Sequence, residues 1–381
     1  MKHQYLSQMP LSLCGYALGI SGLGGALIYF INEFKNSTNS QTLLTIQTII
    51  YILLTLYSFA IWIIVFLRFW YCFELLKSEL KTPNKSGFIA ATFMCMCQFS
   101  GYIGWMFTNY ILDDFSLKYY LFIIPNTIML ISLLLHLTFL FYFFKHIFLP
   151  HNYRDDEIYA SWFIALIGMV ISVTCFNNLG NLIPVFFFQI LWLLGLSIYL
   201  WVWPVVLYKF LFLPHKNEND KPSMGIIASP ANLLCAGYLD VFNPGNKFTS
   251  ILNNAIFYKF LGMFMLFFVA TSIIIMFAVL VYSLKKHKFS ILFTPFSFPS
   301  GIAATSILKF SQNYFVASGE LVAIHYLFFV LGTILLLISL IVIICLNVPH
   351  WRIIIDVLKQ RNNLIKKLNK QVQIKQLLIK N

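Results

Sequence analysis

The sequence predicts an all-α integral membrane protein with ten transmembrane helices, paired as five helical hairpins. The odd-numbered helices are expected to form an inner ring around a central pore, and the even-numbered helices an outer ring. Two observations predict the class: hydrophobic residues make up 60% of the chain and charged residues only 10%, and ten apolar stretches are each long enough to cross a bilayer. A third, the concentration of small residues in alternate stretches, predicts the two rings.

The positions of the helices follow from the thickness of the membrane. A hydrocarbon core about 30 Å thick needs about 20 apolar residues per helix. Ten stretches meet this length, near residues 9–30, 43–68, 86–109, 119–144, 158–176, 182–207, 223–242, 255–282, 291–316 and 321–346. Lys2 and His3 precede the first stretch, as in a signal peptide, but its apolar run is too long and no A-x-A cleavage site follows. We therefore expect a retained first helix.

Lys and Arg are distributed unevenly between the two ends of these helices. One side, which includes both termini, carries 21 of the 26 Lys and Arg residues. Because cytoplasmic loops carry the excess of positive charge, we expect both termini to be cytoplasmic in a multi-pass plasma (inner) membrane protein. The turns expected inside are 77–85, 145–156, 214–222 and 285–288, and the loops expected outside are 31–41 and 110–118. This topology accounts for most of the net charge of +13, so no nucleic-acid partner is expected.

Four of the predicted cytoplasmic turns share one plan. Aromatic residues and Lys end one helix, a short polar linker follows, and small residues open the next helix. The turns begin near Phe73, Phe143, Tyr208 and Tyr282. Such a repeat predicts five helical hairpins in series.

The odd-numbered and even-numbered stretches differ in side-chain size. The odd ones contain 35 Gly, Ala and Ser residues and the even ones contain 13. Small residues let helices approach closely or leave space along an axis, whereas Leu, Ile and Phe suit lipid. Tight packing alone and packing around a central conduit both remain open. The candidate pore-lining or kink residues are Gly15, Gly19, Gly22, Gly87, Ala91, Gly168, Ser229, Pro230, Pro299, Ser300 and Gly301.

The ninth stretch contains the segment FSFPSG, residues 296–301, followed by further small residues. Pro299 lacks an amide hydrogen and disturbs a helix about one turn before it, so a freed carbonyl is expected near the pore wall. Irregular backbone at membrane depth is tolerated where it lines a cavity or is buried in protein. Pro230 can have the same effect in the seventh stretch. The residues alone are also compatible with Phe298 as a packing or lipid-facing side chain.

The hairpin plan and the phrase PFSFPSGIAATSILKFSQ in the ninth stretch resemble the TehA and slow-type anion channel family, which includes yeast malate transporters and sulfite exporters. PLSLCGYALGISGLGGAL, IYASWFIALIGMVISV and GIIASPANLLCAGYL resemble that family's first, fifth and seventh helices. The resemblance covers roughly residues 8–346. It implies a ten-helix protomer around a pore, a homotrimer, and an aromatic plug from the ninth helix.

By motif position, the plug implied by this resemblance is Phe298. The family's usual paired aromatics before the motif are replaced here by residues 293–296, Phe-Thr-Pro-Phe. Phe296 is therefore a second candidate for the pore gate.

Ionisable residues inside membrane spans are costly in lipid and are candidates for function. The candidates for an anion or proton path are Lys309, Asp240, Glu320 and His325. Lys309 could draw anions to the outer mouth, or its side chain could extend to the membrane interface. For His136 and His325, which lie on even-numbered stretches, we favour interhelical hydrogen bonds over proton transfer.

Catalytic and metal-binding patterns are missing from the sequence. The seven Cys have no metal-site spacing near His, so we expect them to be buried and reduced. No nucleophile-and-base arrangement is visible. We expect no enzymatic activity, no cofactor and no bound metal.

The family resemblance, together with the pattern of small residues, predicts an anion channel or facilitator that moves small inorganic or organic anions across the plasma membrane. The expected route is a pore in each protomer that is gated by a phenylalanine and selects anions by its width. The alternative is a proton-coupled transporter of C4-dicarboxylate, sulfite or tellurite-type oxyanions, with Asp240, Glu320 or His325 in the proton path. An intramembrane enzyme is the third hypothesis. The expected partners are a small anion, membrane lipid and further copies of the chain in a homotrimer.

The last part of the chain differs from the rest. We divide the chain into a transmembrane domain, residues 1–349, and a basic amphipathic tail helix, residues 350–381. Apolar residues recur at helical spacing in the tail with Lys and Arg between them, as in helices that lie on an anionic membrane surface. A solvated helix and a coiled coil between protomers are the alternatives.

Overall fold

The computed structural model describes residues 4–38, 40–110, 115–151, 158–212, 218–244, 254–318 and 322–380, and within these ranges it is helical and contains no strand. The α-helices are α1 (Leu13–Thr38), α2 (Gln41–Tyr71), α3 (Phe73–Leu80), α4 (Pro83–Tyr110), α5 (Phe115–Phe143), α6 (Leu149–His151), α7 (Trp162–Ile167), α8 (Ile171–Thr174), α9 (Val185–Phe212), α10 (Ala228–Val241), α11 (Ala255–Lys286), α12 (Ser297–Ser318) and α13 (Val322–Lys380). The 3₁₀ helices Glu218–Ile227 and Ile291–Phe296 precede α10 and α12. A π-helix, Phe144–Phe148, follows α5.

Nine helices in these ranges are long and apolar enough to cross a membrane, which agrees with a multi-pass membrane protein. Their burial alternates along the chain. In the spans built on α1, α4, α10 and α12, between 72% and 100% of the most apolar window is buried. In the spans built on α2, α5, α9, α11 and α13 the share is 22% to 33%. The first group therefore faces protein, and the second exposes the large apolar side chains that suit lipid.

The fifth predicted stretch, 158–176, is not one continuous helix. The helical part, Trp162–Thr174, is shorter than a membrane span and changes to a 3₁₀ turn at Gly168–Val170. Side chains compensate for the broken ladder: Ser172 donates to the Met169 carbonyl (2.7 Å), and His136 of α5 contacts the Ala165 carbonyl (3.1 Å). The interhelical hydrogen bond predicted for His136 is confirmed. Burial inside the protein makes this irregular backbone tolerable at membrane depth.

The buried segments contact one another in cyclic order. α1 contacts α4, α4 contacts α7, α8 contacts α10, α10 contacts α12, and α12 contacts α1. Each of the pairs α1 and α2, α4 and α5, and α12 and α13 packs as a hairpin, with the more exposed helix second.

The two proline-containing segments begin in the same way. In each, a 3₁₀ helix leads into an α-helix whose third residue is proline, Pro230 in α10 and Pro299 in α12. A proline in the first turn of an α-helix removes no hydrogen bond of that helix. The irregular backbone therefore lies before α10 and α12, and each α-helix continues unbroken after its proline.

The last helix does not end at the predicted span boundary. α13 runs from Val322 to Lys380 and contains Pro349. At 1.5 Å per residue it is about 90 Å long, roughly twice the thickness of a bilayer with its headgroups. The tail is thus a continuation of the last span.

Candidate functional site

Two cavities lie at opposite ends of the buried segments. The outer cavity has a volume of about 200 Å³, and its lining includes Gly25, Tyr29, Gln98, Thr174, Ala236, Ile302 and Lys309. The inner cavity has a volume of about 390 Å³, and its lining includes Ser12, Arg68, Glu79, Phe88, Tyr159 and Ser223. We name the cavities after the orientation that the Lys and Arg distribution predicts. Both contain polar side chains inside an otherwise apolar protein.

The same buried segments line both cavities. The chain passes from the inner to the outer cavity between Ser12 and Gly25, and again between Phe88 and Gln98. It does so twice more, through residues 159–174 and 223–236. α12 adds Ile302, Thr305 and Lys309 to the outer cavity, so that all five buried segments contribute to its wall. Along α1 the stretch between the cavities is about 20 Å long.

Phe298 lies in this intervening stretch. Its side chain is 5% exposed, and its ring faces Gly22 of α1: a Cβ placed on Gly22 would lie 3.4 Å from Cδ2 of Phe298. Gly25, three residues after Gly22, and Ile302, one helical turn after Phe298, both line the outer cavity. The ring therefore lies just below the floor of the outer cavity.

Phe296, the second gate candidate, has different surroundings. Its ring packs against Gly225 of the 3₁₀ helix before α10, where an added Cβ would lie 2.6 Å from Cδ1 of Phe296. Its centroid lies 6.0 Å from that of Phe293. Phe296 thus fills a tight contact between the two 3₁₀ helices.

The glycines predicted to line a pore fall into two groups. Gly15 faces open space, because a Cβ placed on it would meet no atom within 4 Å. A Cβ added to Gly19 would lie 2.6 Å from the Ser297 Cβ. A Cβ added to Gly301 would lie 3.2 Å from the backbone of α1. Gly87 lies in close contact with the Ser161 backbone. These three positions are close helix contacts.

The remaining candidate residues are all buried. Gly168 packs against Met94 and His136, where an added Cβ would lie 2.6 Å from the Met94 sulfur. Ser300 Oγ donates to the Phe296 carbonyl (2.8 Å), one turn back. The others are Ala91, Ser229, Pro230 and Pro299.

A buried ion pair borders the outer cavity. The Lys309 ammonium contacts the Asp240 carboxylate, and both side chains are at most 2% exposed. Asn177 Nδ2 donates to the other Asp240 oxygen (2.6 Å), and Lys309 also donates to the Ala236 carbonyl (3.1 Å). The ammonium lies 5.3 Å from the centroid of the Tyr29 ring. Lys309 therefore remains inside the protein and does not extend to the membrane interface.

A second polar cluster lies beside the outer cavity. His325 Nε2 lies 2.8 Å from a Glu33 carboxylate oxygen, and His325 Nδ1 lies 2.9 Å from the Ser311 carbonyl. Gln312 donates both to Glu33 (3.0 Å) and to the carbonyl of Tyr29, a residue of the outer cavity (2.8 Å). Glu320, which the sequence placed in the same path, lies outside the described residues.

The inner cavity contains a buried ion pair of its own. Arg68 of α2 makes two hydrogen bonds to the Glu79 carboxylate of α3, 2.6 and 2.8 Å long. Arg68 Nε donates to the Met9 carbonyl (2.9 Å). This bidentate pair ties the short helix α3 to the end of α2 and to the chain before α1.

The sequence predicted that all seven cysteines are buried, and this is wrong for two of them. Five of them are buried, but Cys72 is partly exposed and Cys345 is exposed on α13, a helix that faces the lipid side. In the described part of the chain, no three His, Cys, Asp or Glu side chains come together as metal ligands would.

The model of the voltage-dependent anion channel family matches residues 8–350, nearly the whole chain. The chain belongs to the voltage-dependent anion channel family. This confirms the resemblance seen in the ninth, first, fifth and seventh stretches, and membership implies an anion substrate and a transport function. No curated protein matches the chain.

In this family member, the sequence by itself did not reveal the partners of the charged residues. It did not pair Lys309 with Asp240, although an ammonium inside a span needs a carboxylate and Asp240 is the nearest acidic residue inside a predicted span. It also missed Glu33 and the Arg68–Glu79 pair. Arg68 and Glu79 lie at span ends, where a charge needs no special explanation, so only their burial reveals them. Glu33 is partly exposed, and its contact with His325 reveals it.

Proposed function

We propose that the protein is an anion channel or facilitator whose conduit runs among the five buried segments and is closed by Phe298. The observation that carries this proposal is the wall of the outer cavity, to which all five buried segments contribute and whose floor lies one helical turn from Phe298. The cyclic contacts of these segments support an inner ring. The five exposed helices would form the outer ring, which completes the proposed ten-segment arrangement.

The electrostatics of the two cavities favour anions over cations. α1, α4, α10 and α12 all run from the inner end to the outer end, so their N-terminal partial positive charges lie at the inner end. Lys309 adds a cation at the outer cavity, although Asp240 balances its charge. Selection would rest on pore width and dipoles, without a fixed charged site.

We also propose, from the family resemblance, a homotrimer in the plasma membrane with a separate conduit in each protomer and both termini in the cytoplasm. The exposed apolar faces of the outer helices provide the surface for lipid and for neighbouring protomers. The mass of the purified protein in native nanodiscs would test the number of copies.

Flux measurements test the proposed activity. The purified protein in proteoliposomes should conduct chloride, nitrate and small organic anions down their gradients, with reversal potentials that follow the anion gradient and not the pH gradient. Empty liposomes are the baseline, and Phe298→Ala should increase the flux. Flux that requires a proton gradient, or a reversal potential that follows cations, would contradict a passive anion conduit.

The His325 cluster supports the second candidate, a proton-coupled oxyanion transporter. Because the Ser311 carbonyl can only accept, His325 Nδ1 carries a hydrogen, and the contact between Nε2 and Glu33 then needs one further proton shared by the pair. That proton could be exchanged at the outer end of the protein. His325→Gln should abolish pH-driven uptake if this function operates, and should leave passive anion current unchanged if it does not.

A further inference from the structure

The inner end of α13 is bound to the first two spans through Asn347 and Trp351. Asn347 Oδ1 accepts hydrogen bonds from the hydroxyls of Tyr16 in α1 (2.5 Å) and of Tyr57 in α2. Trp351 Nε1 donates to the Tyr57 hydroxyl (2.8 Å). This polar cluster lies where the last span continues into the tail.

His350 extends the cluster toward the segment that carries Phe298. Its ring stacks on Tyr16, with centroids 4.3 Å apart and an angle of 4° between the planes. His350 Nδ1 lies 2.8 Å from the Leu346 carbonyl, and His350 Nε2 lies 3.2 Å from Thr294 Oγ1. The Leu346 carbonyl can only accept, so Nδ1 carries the hydrogen of the neutral ring and Nε2 is an acceptor. Thr294 Oγ1 also lies 2.6 Å from the Ile291 carbonyl, so its one hydrogen is shared between that carbonyl and His350 Nε2. Both side chains are 1% exposed, so water does not compete for this hydrogen bond.

Thr294 belongs to the 3₁₀ helix Ile291–Phe296, immediately before α12. Its carbonyl accepts hydrogen bonds from the backbone amide and the hydroxyl (2.7 Å) of Ser297. The Ser297 hydroxyl also lies 3.2 Å from the carbonyl of Gly15, the residue before Tyr16. These contacts form a closed loop from Tyr16 through His350, Thr294 and Ser297 back to α1. Phe298 is the residue after Ser297.

From this geometry we infer that His350 is a positioning residue for Phe298: through Thr294 it fixes the 3₁₀ turn that sets the start of α12, and so holds the Phe298 ring against Gly22. The inference rests on the proposed role of Phe298 in closing the conduit. Because His350 belongs to the same unbroken helix as the tail, a movement of the tail relative to the spans would reach the turn before Phe298 through this contact.

Two substitutions remove the contact between His350 and Thr294. His350→Phe keeps a ring that can stack on Tyr16 but has no acceptor for the Thr294 hydroxyl. Thr294→Val keeps the side-chain shape but removes the hydroxyl, and with it the hydrogen bond to the Ile291 carbonyl within the turn. Each should raise the open probability of single channels about two- to tenfold, the factor that corresponds to the loss of one buried hydrogen bond. The unitary conductance and anion selectivity should stay at the parental values, because neither residue lines the outer cavity.

The double variant and a rescue variant separate positioning from a general loss of structure. His350→Phe with Thr294→Val should have no larger effect than Thr294→Val alone, since that change already removes the contact between the two side chains. His350→Gln, whose amide oxygen can reach the Thr294 hydroxyl, should return the open probability toward the parental value. Trp351→Phe is the matched control on the same helix and should leave open probability unchanged. Thermal unfolding in detergent should give similar midpoints for all of these variants.

The outcomes also distinguish this inference from the proposed gate. If Phe298→Ala raises the current but His350→Phe and Thr294→Val behave like the parent, the positioning role is wrong and the gate stands. If Phe298→Ala leaves the current unchanged, the proposed gate fails, and the positioning role fails with it. If the single effects add in the double variant, or if Trp351→Phe has the same effect, the link between His350 and Thr294 is not specific.

Discussion

The phenyl ring of Phe298 lies against Gly22, a position with no side chain, in the stretch of the protein between the inner and outer cavities. A larger residue at 22 would compete with the ring for the same space. In the proposed conduit, this apolar ring would block ions by its volume and by excluding water, without a charged gate.

Removal of this ring should open the conduit. Phe298→Ala is expected to raise anion conductance strongly, because Gly22, which faces the ring, has no side chain that could fill the space of a benzyl group. Recordings in planar bilayers or oocytes, normalised to surface expression, measure the change. Phe296→Ala is the control, since Phe296 packs against Gly225, and it should change conductance far less. Equal currents from Phe298→Ala and the parent would leave the conduit without an identified gate.

Gly15 should report on the width of the conduit on the inner side of Phe298. A Cβ at this position meets no atom within 4 Å, so a side chain can enter the open space without displacing a neighbour. In the Phe298→Ala background, Gly15→Ala should reduce the current slightly and Gly15→Leu should reduce it strongly, with no loss of thermal stability. The graded series is its own control. Currents that do not depend on the size of residue 15 would move the conduit away from this face of α1.

The Lys309–Asp240 pair should behave as a buried ion pair. Asp240→Asn or Lys309→Met leaves the other charge without its partner, and each is expected to lower the free energy of unfolding by about 3–5 kcal/mol. The double variant should cost less than either single change, because no lone charge remains. Denaturation monitored by fluorescence in detergent measures this. Additive losses would mean that the two charges act independently.

The predicted orientation can be tested by labelling. Ser40 caps the start of α2 at the predicted outer end, and Lys85 is exposed at the predicted inner end of α4. Single cysteines at these positions, in a background without Cys72 and Cys345, should react with a membrane-impermeant maleimide from opposite sides of the membrane. Reaction of both from outside intact cells would exclude the topology that the Lys and Arg distribution predicts.

The tail should bind anionic lipid surfaces. Residues 350–381 carry eight Lys and Arg but only Asp356 as an acidic residue. Truncation after Gln360 keeps Trp351 and its contact with Tyr57, so it tests the tail without disturbing the cluster at its base. The full chain in nanodiscs should lose hydrogen-exchange protection of the tail when phosphatidylserine is replaced by phosphatidylcholine. If the hydrogen-exchange protection of the tail does not depend on lipid charge but falls when the protomers dissociate, the tail forms a coiled coil instead.

Much of the fold is determined by the sequence itself. Apolar stretches of span length fix where the helices lie, since a bilayer demands both the length and the composition. The contrast between small and large residues in alternate stretches predicted which spans are buried, because only small side chains permit close helix contacts on several sides. The family was recognisable from the segment around Phe298, and it matches nearly the whole chain.

Tertiary structure decided what local pattern could not encode. The fifth segment changes to a 3₁₀ turn at Gly168, and His136 from another helix satisfies the Ala165 carbonyl beside it, a contact between residues 29 positions apart. Gly15 and Gly19 are alike in sequence, yet one faces open space and the other packs against Ser297, because the position of α12 differentiates them. Likewise, the sequence pattern places His350 at the start of a basic tail. Only the packing of α13 against α1 and the 3₁₀ turn brings it into contact with Thr294. Such contacts form between segments that are distant in sequence, and the packing of the whole protein determines which of these segments come together.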